Sequence, residues 1–172
     1  WSRGLGDVYK RQVKGTAVYT GAFTPPTSPL TAITNTSLLT CQSYTFLDNS
    51  TNNFTITVNG NTTVSGFMPF TPNSSYSTYG SGYFDGTGDY LSIPNNTSAF
   101  LPSGDFTIEC WAYLNTLSTY RRLMTSGVNG IQSNWGLTVL TDRTVNFYIG
   151  LGSASNILSL IHISEPTRPE RI

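Results

Sequence analysis

Gly82–Leu114 reads GYFDGTGDYLSIPNNTSAFLPSGDFTIECWAYL, and its pattern decides the fold. Two short aromatic runs, Gly82–Phe84 and Tyr90–Ile93, flank Asp85-Gly86-Thr87-Gly88-Asp89. The two glycines can take a positive φ and the aspartates can cap the bend, so the stretch is expected to form a β-hairpin. After a loop over Pro94–Gly104, the run Phe106–Leu114 alternates. Phe106, Ile108, Cys110, Ala112 and Leu114 point one way, and Thr107, Glu109, Trp111 and Tyr113 the other. The first face is expected to be core, and the second to carry aromatics and a carboxylate.

In this order, Phe84–Tyr90 (FDGTGDY) and Asp105–Trp111 (DFTIECW) resemble the opening of a laminin-G-like domain of the concanavalin-A-like class. The resemblance implies an all-β fold, an antiparallel β-sandwich of the jelly-roll type, and a non-catalytic recognition or structural module. It names no ligand. Val13–Leu30, a strand-like run followed by the three-proline segment TPPTSPL, resembles the closing strand and exit linker between tandem repeats of this kind in marine bacteriophage structural proteins. On pattern alone the same residues read as an ordinary N-terminal strand and a Pro-rich turn, because proline fixes φ and removes ladder donors.

Both ends stand apart. Ser2–Gln12 and Leu158–Arg168 read as one sequencing-library transposon adapter translated from opposite strands: GAT GTG TAT AAG AGA CAG encodes Asp7–Gln12, and CTG TCT CTT ATA CAC ATC encodes Leu158–Ile163. Segments of that origin are left out of fold reasoning. The expected organisation is therefore adapter-derived sequence at 1–12 and 158–172, a closing strand and linker at 13–30, and the N-terminal part of a sandwich at 31–157. The plainer alternative is a basic arm and a Pro-containing tail. The biological part is expected to be an internal piece of a longer chain, with closing strands missing. Expressed alone, Val13–Ile157 would then expose unpaired strand edges and aggregate or stay poorly ordered.

The formal net charge of the whole chain is zero, but Val13–Ile157 holds four cations (Lys14, Arg121, Arg122, Arg143) against six anions (Asp48, Asp85, Asp89, Asp105, Glu109, Asp142), a net charge of −2. That leaves no basic footprint for nucleic acid, no polybasic membrane patch, and no apolar run long enough for membrane insertion. Sparse charge with abundant Thr, Ser, Asn, Gly and Tyr suits an extracellular or virion-surface β protein. Cys41 and Cys110 sit in strand-like runs; buried free thiols are the simpler reading, and a disulfide the alternative if their strands are neighbours.

Further strands are expected at Leu38–Gln42, Tyr44–Phe46 and Phe54–Val58. Asn59-Gly60 is a turn signal that would pair the last of these with Thr62–Val64. Arg122–Ser126 follows, and Trp135–Leu140 with Thr144–Ile149 reads as a hairpin around Thr141-Asp142-Arg143.

For chemistry the sequence offers little. The single histidine, His162, lies in the adapter-like tail, so a Ser-His-Asp or Cys-His site and most zinc geometries lack a partner. A glycosidase needs two facing carboxylates; Glu109 has Thr107 and Trp111 as its same-face neighbours, and Asp105 lies at the strand's edge. No enzyme is expected. Asp85, Asp89 and Asp105 with loop carbonyls make a candidate calcium site, although turn chemistry explains the Asp-Gly-x-Gly-Asp run without metal. The candidate ligand-binding row is Glu109, Trp111 and Tyr113, since flat rings stack on sugars or anchor a protein partner and a carboxylate accepts hydroxyl hydrogen bonds. Its plain counterpart is that Trp111 and Tyr113 are covered as core. The partners this implies are a cell-surface carbohydrate or a virion protein, in a multi-repeat fibre. Seven Asn-x-Ser/Thr triplets, beginning at Asn35, are what so Asn- and Thr-rich a chain produces by chance, though a secreted eukaryotic protein would glycosylate them.

Overall fold

The structure, a computed structural model, describes residues 7–67, 70, 79–94, 100, 104–126, 135–151 and 154–162. The loop expected over Pro94–Gly104 falls largely outside these residues, as do most of 66–79 and all of 127–133. The chain divides into two units, Trp1–Thr116 and Leu117–Ile172. Among the described residues the regular elements are all β-strands and every sheet is antiparallel, an all-β architecture compatible with a β-sandwich.

In the first unit the strands are β1 (Asp7–Lys14), β2 (Thr36–Thr40), β3 (Thr57–Asn59), β4 (Thr63–Ser65), β5 (Ser81–Tyr83), β6 (Tyr90–Ser92) and β7 (Phe106–Ala112). β1 is the shared neighbour. Lys10 pairs with Cys110 on one side and Thr40 on the other, and Val8 pairs with Ala112 and Gly82. β7 therefore holds one edge of β1 along its length, while β2 and β5 divide the other, and β4 extends the sheet beyond β5. Most of β1 comes from the adapter-like residues up to Gln12. A strand's place in a sheet reports how it packs and leaves open which DNA encoded it.

The expected strand Val13–Phe23 ends early, at Lys14. Gly15 turns the chain with a φ of 83°, and the N–H of Lys14, whose residue still pairs with Phe106, donates to the Asn35 carbonyl at 3.0 Å. Tyr44–Phe46 forms no strand: the Ser43 hydroxyl donates to the Thr45 carbonyl at 3.0 Å, a local bond that competes with a ladder.

The two local hairpins expected around Asn59-Gly60 and Asp85–Asp89 are not what forms. β3 pairs with β6 and β4 with β5, so residues 57–65 and 81–92 run antiparallel as one interrupted ribbon. Thr57 faces Ser92 and Asn59 faces Tyr90; beyond the interruption Thr63 faces Tyr83 and Ser65 faces Ser81. The interruption sets Gly60–Thr62 against Phe84–Asp89, and the unequal lengths make the Asp-Gly-x-Gly-Asp segment a bulged corner instead of a hairpin tip.

Both faces of the five-stranded sheet are covered. On one, Tyr9 and Leu39 pack with Leu30 from the Pro-rich segment, and Trp111 lies against them. The other carries Lys10, Gln12 and Leu38, all buried, with Phe84 at 0% exposure nearby: the Lys10 Nζ lies 5.5 Å from the Phe84 ring centre.

The second unit is a meander of β8 (Arg121–Ser126), β9 (Trp135–Val139), β10 (Thr144–Leu151) and β11 (Ala154–His162). Its β9–β10 hairpin is the expected one. Arg143 takes a φ of 67°, its N–H donates to the Leu140 carbonyl at 3.0 Å, and the Asp142 carboxylate accepts from the Thr144 N–H at 2.9 Å.

Candidate functional site

β7 carries the expected row, and the fold treats its members differently. Glu109 stands opposite Arg11 on β1, whose guanidinium lies 2.6 Å from Oε1 through Nη2 and donates to it from Nε at 2.7 Å. The Tyr19 hydroxyl donates to Oε2 at 2.8 Å, so both carboxylate oxygens are engaged inside the molecule. Arg11 also donates from Nη1 to the Thr31 carbonyl at 2.8 Å, tying the pair to the chain that follows the prolines. Burial, and then the Glu109 carboxylate beside it, pushes the Tyr19 phenol above its ordinary pKa.

Two residues on, Trp111 is half-buried. It faces Tyr9 across the ladder and meets Phe70 edge-on at 5.7 Å, and Phe70 in turn meets Tyr9 at 6.0 Å. These three rings form a packed aromatic step. Tyr113 lies just past the end of β7, where the cover stops: it is 51% exposed, and its ring centre is 5.5 Å from that of Phe67, which is also 51% exposed. Glu109, Trp111 and Tyr113 thus do not present one continuous outer row. Glu109 is spent on Arg11 and Tyr19, Trp111 on packing, and Tyr113 belongs with Phe67, a residue the sequence pattern did not single out.

The three aspartates also separate. Asp89 is fully buried, and its carboxylate accepts from two backbone donors, the Asp85 N–H and the Asn61 N–H, each at 2.8 Å. Asp85 is exposed and accepts from the Thr87 N–H at 2.7 Å and the Asn61 amide at 3.0 Å. Those bonds, the Thr87 N–H foremost, hold its carboxyl below the usual carboxylate range. Gly86 and Gly88 supply φ values of 96° and 78°, as the turn reading expects. Gly60 fits against this loop with a φ of 75°, and a side chain there would meet the Asp89 carboxylate and the Gly88 carbonyl. Asp105 lies elsewhere, exposed at the start of β7, with its backbone carbonyl accepting from the Gly15 N–H at 2.7 Å. Among the described residues no three Asp, Glu, His or Cys side chains converge as a cation site would require.

The sequence pattern did not foresee the burial of Asp48 or of Lys10. Asp48 is 3% exposed and accepts from the backbone N–H groups of Leu39, Ser50 and Phe54 at 2.9–3.1 Å and from the Ser50 hydroxyl at 2.9 Å. The Asp-x-Ser spacing at 48–50 is the signal that would have found it, since a carboxylate two residues before an N–H closes an Asx-turn. Lys10 is the other. Burial pushes its pKa down, an effect the two cysteine thiols partly oppose. Cys41 and Cys110 are both free; burial raises both, Cys110 to about 11.

No family model, curated protein or solved structure matches the chain.

Proposed function

We propose that this chain is a non-catalytic recognition module of an extracellular or virion-surface protein, built on a laminin-G-like jelly-roll sandwich, and that its ligand is a surface carbohydrate. The observation that carries the reading is the division of labour among its side chains. The carboxylates of Glu109, Asp89 and Asp48 are committed to internal donors, while aromatic rings are left in water on a frame held by β-ladders. A carboxylate that accepts an internal guanidinium and a phenol is poorly placed to move protons for bond cleavage. Rings held at a fixed spacing can stack on the apolar face of a sugar at little entropic cost. The family resemblance of FDGTGDY and DFTIECW supports the same class, as analogy of fold. Tandem copies along a fibre would add avidity to a weak single site.

The test is a glycan array probed with the full chain, followed by incubation of bound oligosaccharides to look for cleavage. Binding without sugar release is expected. No binding to any carbohydrate would leave a purely structural repeat, and release of sugar would make the chain a glycoside hydrolase.

A further inference from the structure

Among the described residues of the first unit, Phe67 and Tyr113 form an aromatic pair with both rings about half exposed, and their surroundings narrow what can sit on them. Phe67 does not hang from a loose loop: its N–H donates to the Ser65 hydroxyl at 3.0 Å, and its carbonyl accepts from the Ser81 hydroxyl at 2.6 Å. β4 and β5, which supply those serines, pair with each other, so the ring stands on a fixed pedestal. Tyr44, 49% exposed, lies against the preceding residue, its hydroxyl 3.3 Å from where a side-chain carbon on Gly66 would be. Glycine at 66 thus leaves room for the phenol against the segment that carries Phe67.

The sequence around these rings is sparse in formal charge, the strand-paired exception being Asp7, opposite Tyr83 at the start of β1. From Asn49 to Phe84 and from Cys110 to Thr116 the sequence contains no Asp, Glu, Lys or Arg, and Gln42–Leu47 contains none either. The flanking acids, Asp48 and Glu109, are turned to internal partners. What remains is three rings with hydroxyl groups around them, including the exposed Thr45. Such a surface offers stacking and neutral hydrogen bonds, and nothing to compensate the desolvation of a carboxylate or sulfate.

We infer that Tyr44, Phe67 and Tyr113 form a sugar-stacking platform for a neutral oligosaccharide. The inference rests on the recognition reading above and adds where the ligand binds and which chemical class it belongs to.

The experiment probes the full chain, and its Phe67→Ala, Tyr113→Ala and Tyr113→Phe variants, on an array carrying neutral oligosaccharides beside sialylated, uronate-containing and sulfated ones. Far-UV circular dichroism and thermal unfolding check that each variant is folded. The platform predicts binding to neutral members that changes little between low and high salt, weakens about tenfold or more in each alanine variant, a loss of ~1.4 kcal/mol or more, and survives in Tyr113→Phe. Neutral-glycan binding unchanged in both alanine variants overturns the platform while leaving the recognition reading in place. Preference for the acidic glycans overturns the ligand class. Failure to bind any glycan overturns both proposals. Concentration-dependent self-association abolished by the same substitutions, without glycan binding, assigns the surface to a second copy of the chain and overturns the platform.

Discussion

The Asp85–Asp89 corner and the Phe67–Tyr113 surface belong to the same unit and use their side chains in opposite ways. At the corner, the Asp89 oxygens and those of Asp85 are consumed by N–H groups of the loop or of Asn61, and a glycine is required at 60 because the carboxylate fills the space a side chain would take. At the aromatic surface the backbone is equally well tied, through Ser65 and Ser81, yet the rings are left in water. A residue whose functional atoms are saturated from within serves the fold. One that is rigidly mounted and unsaturated is available to a ligand. By that criterion the acidic motif, the most conspicuous in the sequence, is scaffold, and the less conspicuous rings are the surface to probe.

The largest effect that bears on this contrast comes from removing residues 1–12. β1 is the common neighbour of β2, β5 and β7, so its loss would leave their ladder groups unpaired and both regions without support. Loss of a cooperative unfolding transition, with aggregation, is the expected outcome for residues 13–172. A soluble monomer that still unfolds cooperatively would show that the adapter-like segment is dispensable and that the sheet closes without it.

Next come substitutions that separate scaffold from surface. Asp89→Ala strips the acceptor from two backbone N–H groups in a closed corner and is expected to cost about 3 kcal/mol in denaturant unfolding. Trp111→Ala, which removes the ring packed on Phe70, Leu30 and Leu39, is expected to cost about as much, ~3 kcal/mol. Tyr113→Ala, two residues along the same face, should change stability by no more than about 0.5 kcal/mol. Equal costs at 111 and 113 would erase the boundary between the covered and open parts of that face.

A further effect is expected at alkaline pH. The Cys110 thiol ionises at about 11 in the folded protein and at 9.0 when unfolded, so between those values the unfolded state holds fewer protons and stability falls as pH rises. Cys41, also raised, acts in the same direction. Lys10 acts in the opposite one: its folded value lies below 10.5, so its unfavourable contribution fades as pH climbs toward 10.5. Urea midpoints are expected to drop from pH 9 to pH 11, and to drop less steeply in Cys110→Ala. An identical slope in that variant would mean that the thiol ionises as freely folded as unfolded.

Local features of this fold were legible in the sequence. The strand β7, the positive φ at Gly86 and Gly88, and the β9–β10 hairpin around Asp142 all depend on residues within a few positions of one another. What was not legible was the choice of partner. Strands of three residues such as β3, β4, β5 and β6 carry too little pattern to fix register, and turn signals at Asn59-Gly60 and Asp85–Asp89 point to local pairing. The chain pairs 57–65 with 81–92 instead, because Asp89 and Asp85 reach across to Asn61. The candidate binding row was legible as a face, but not as a face partly covered. The cover is supplied by Arg11, Tyr19 and Leu30, distant in sequence from Glu109 and Trp111, and Phe67 reaches Tyr113 from 46 positions away.

The most direct measurement is amide and aromatic chemical-shift mapping of the full chain titrated with the neutral oligosaccharide that binds best on the array, in the presence and absence of calcium. Shifts concentrated at Tyr44, Phe67 and Tyr113, unchanged by the cation, are expected, with the Asp85–Asp89 corner silent. Calcium-dependent shifts centred on Asp85 and Asp89 would contradict this expectation.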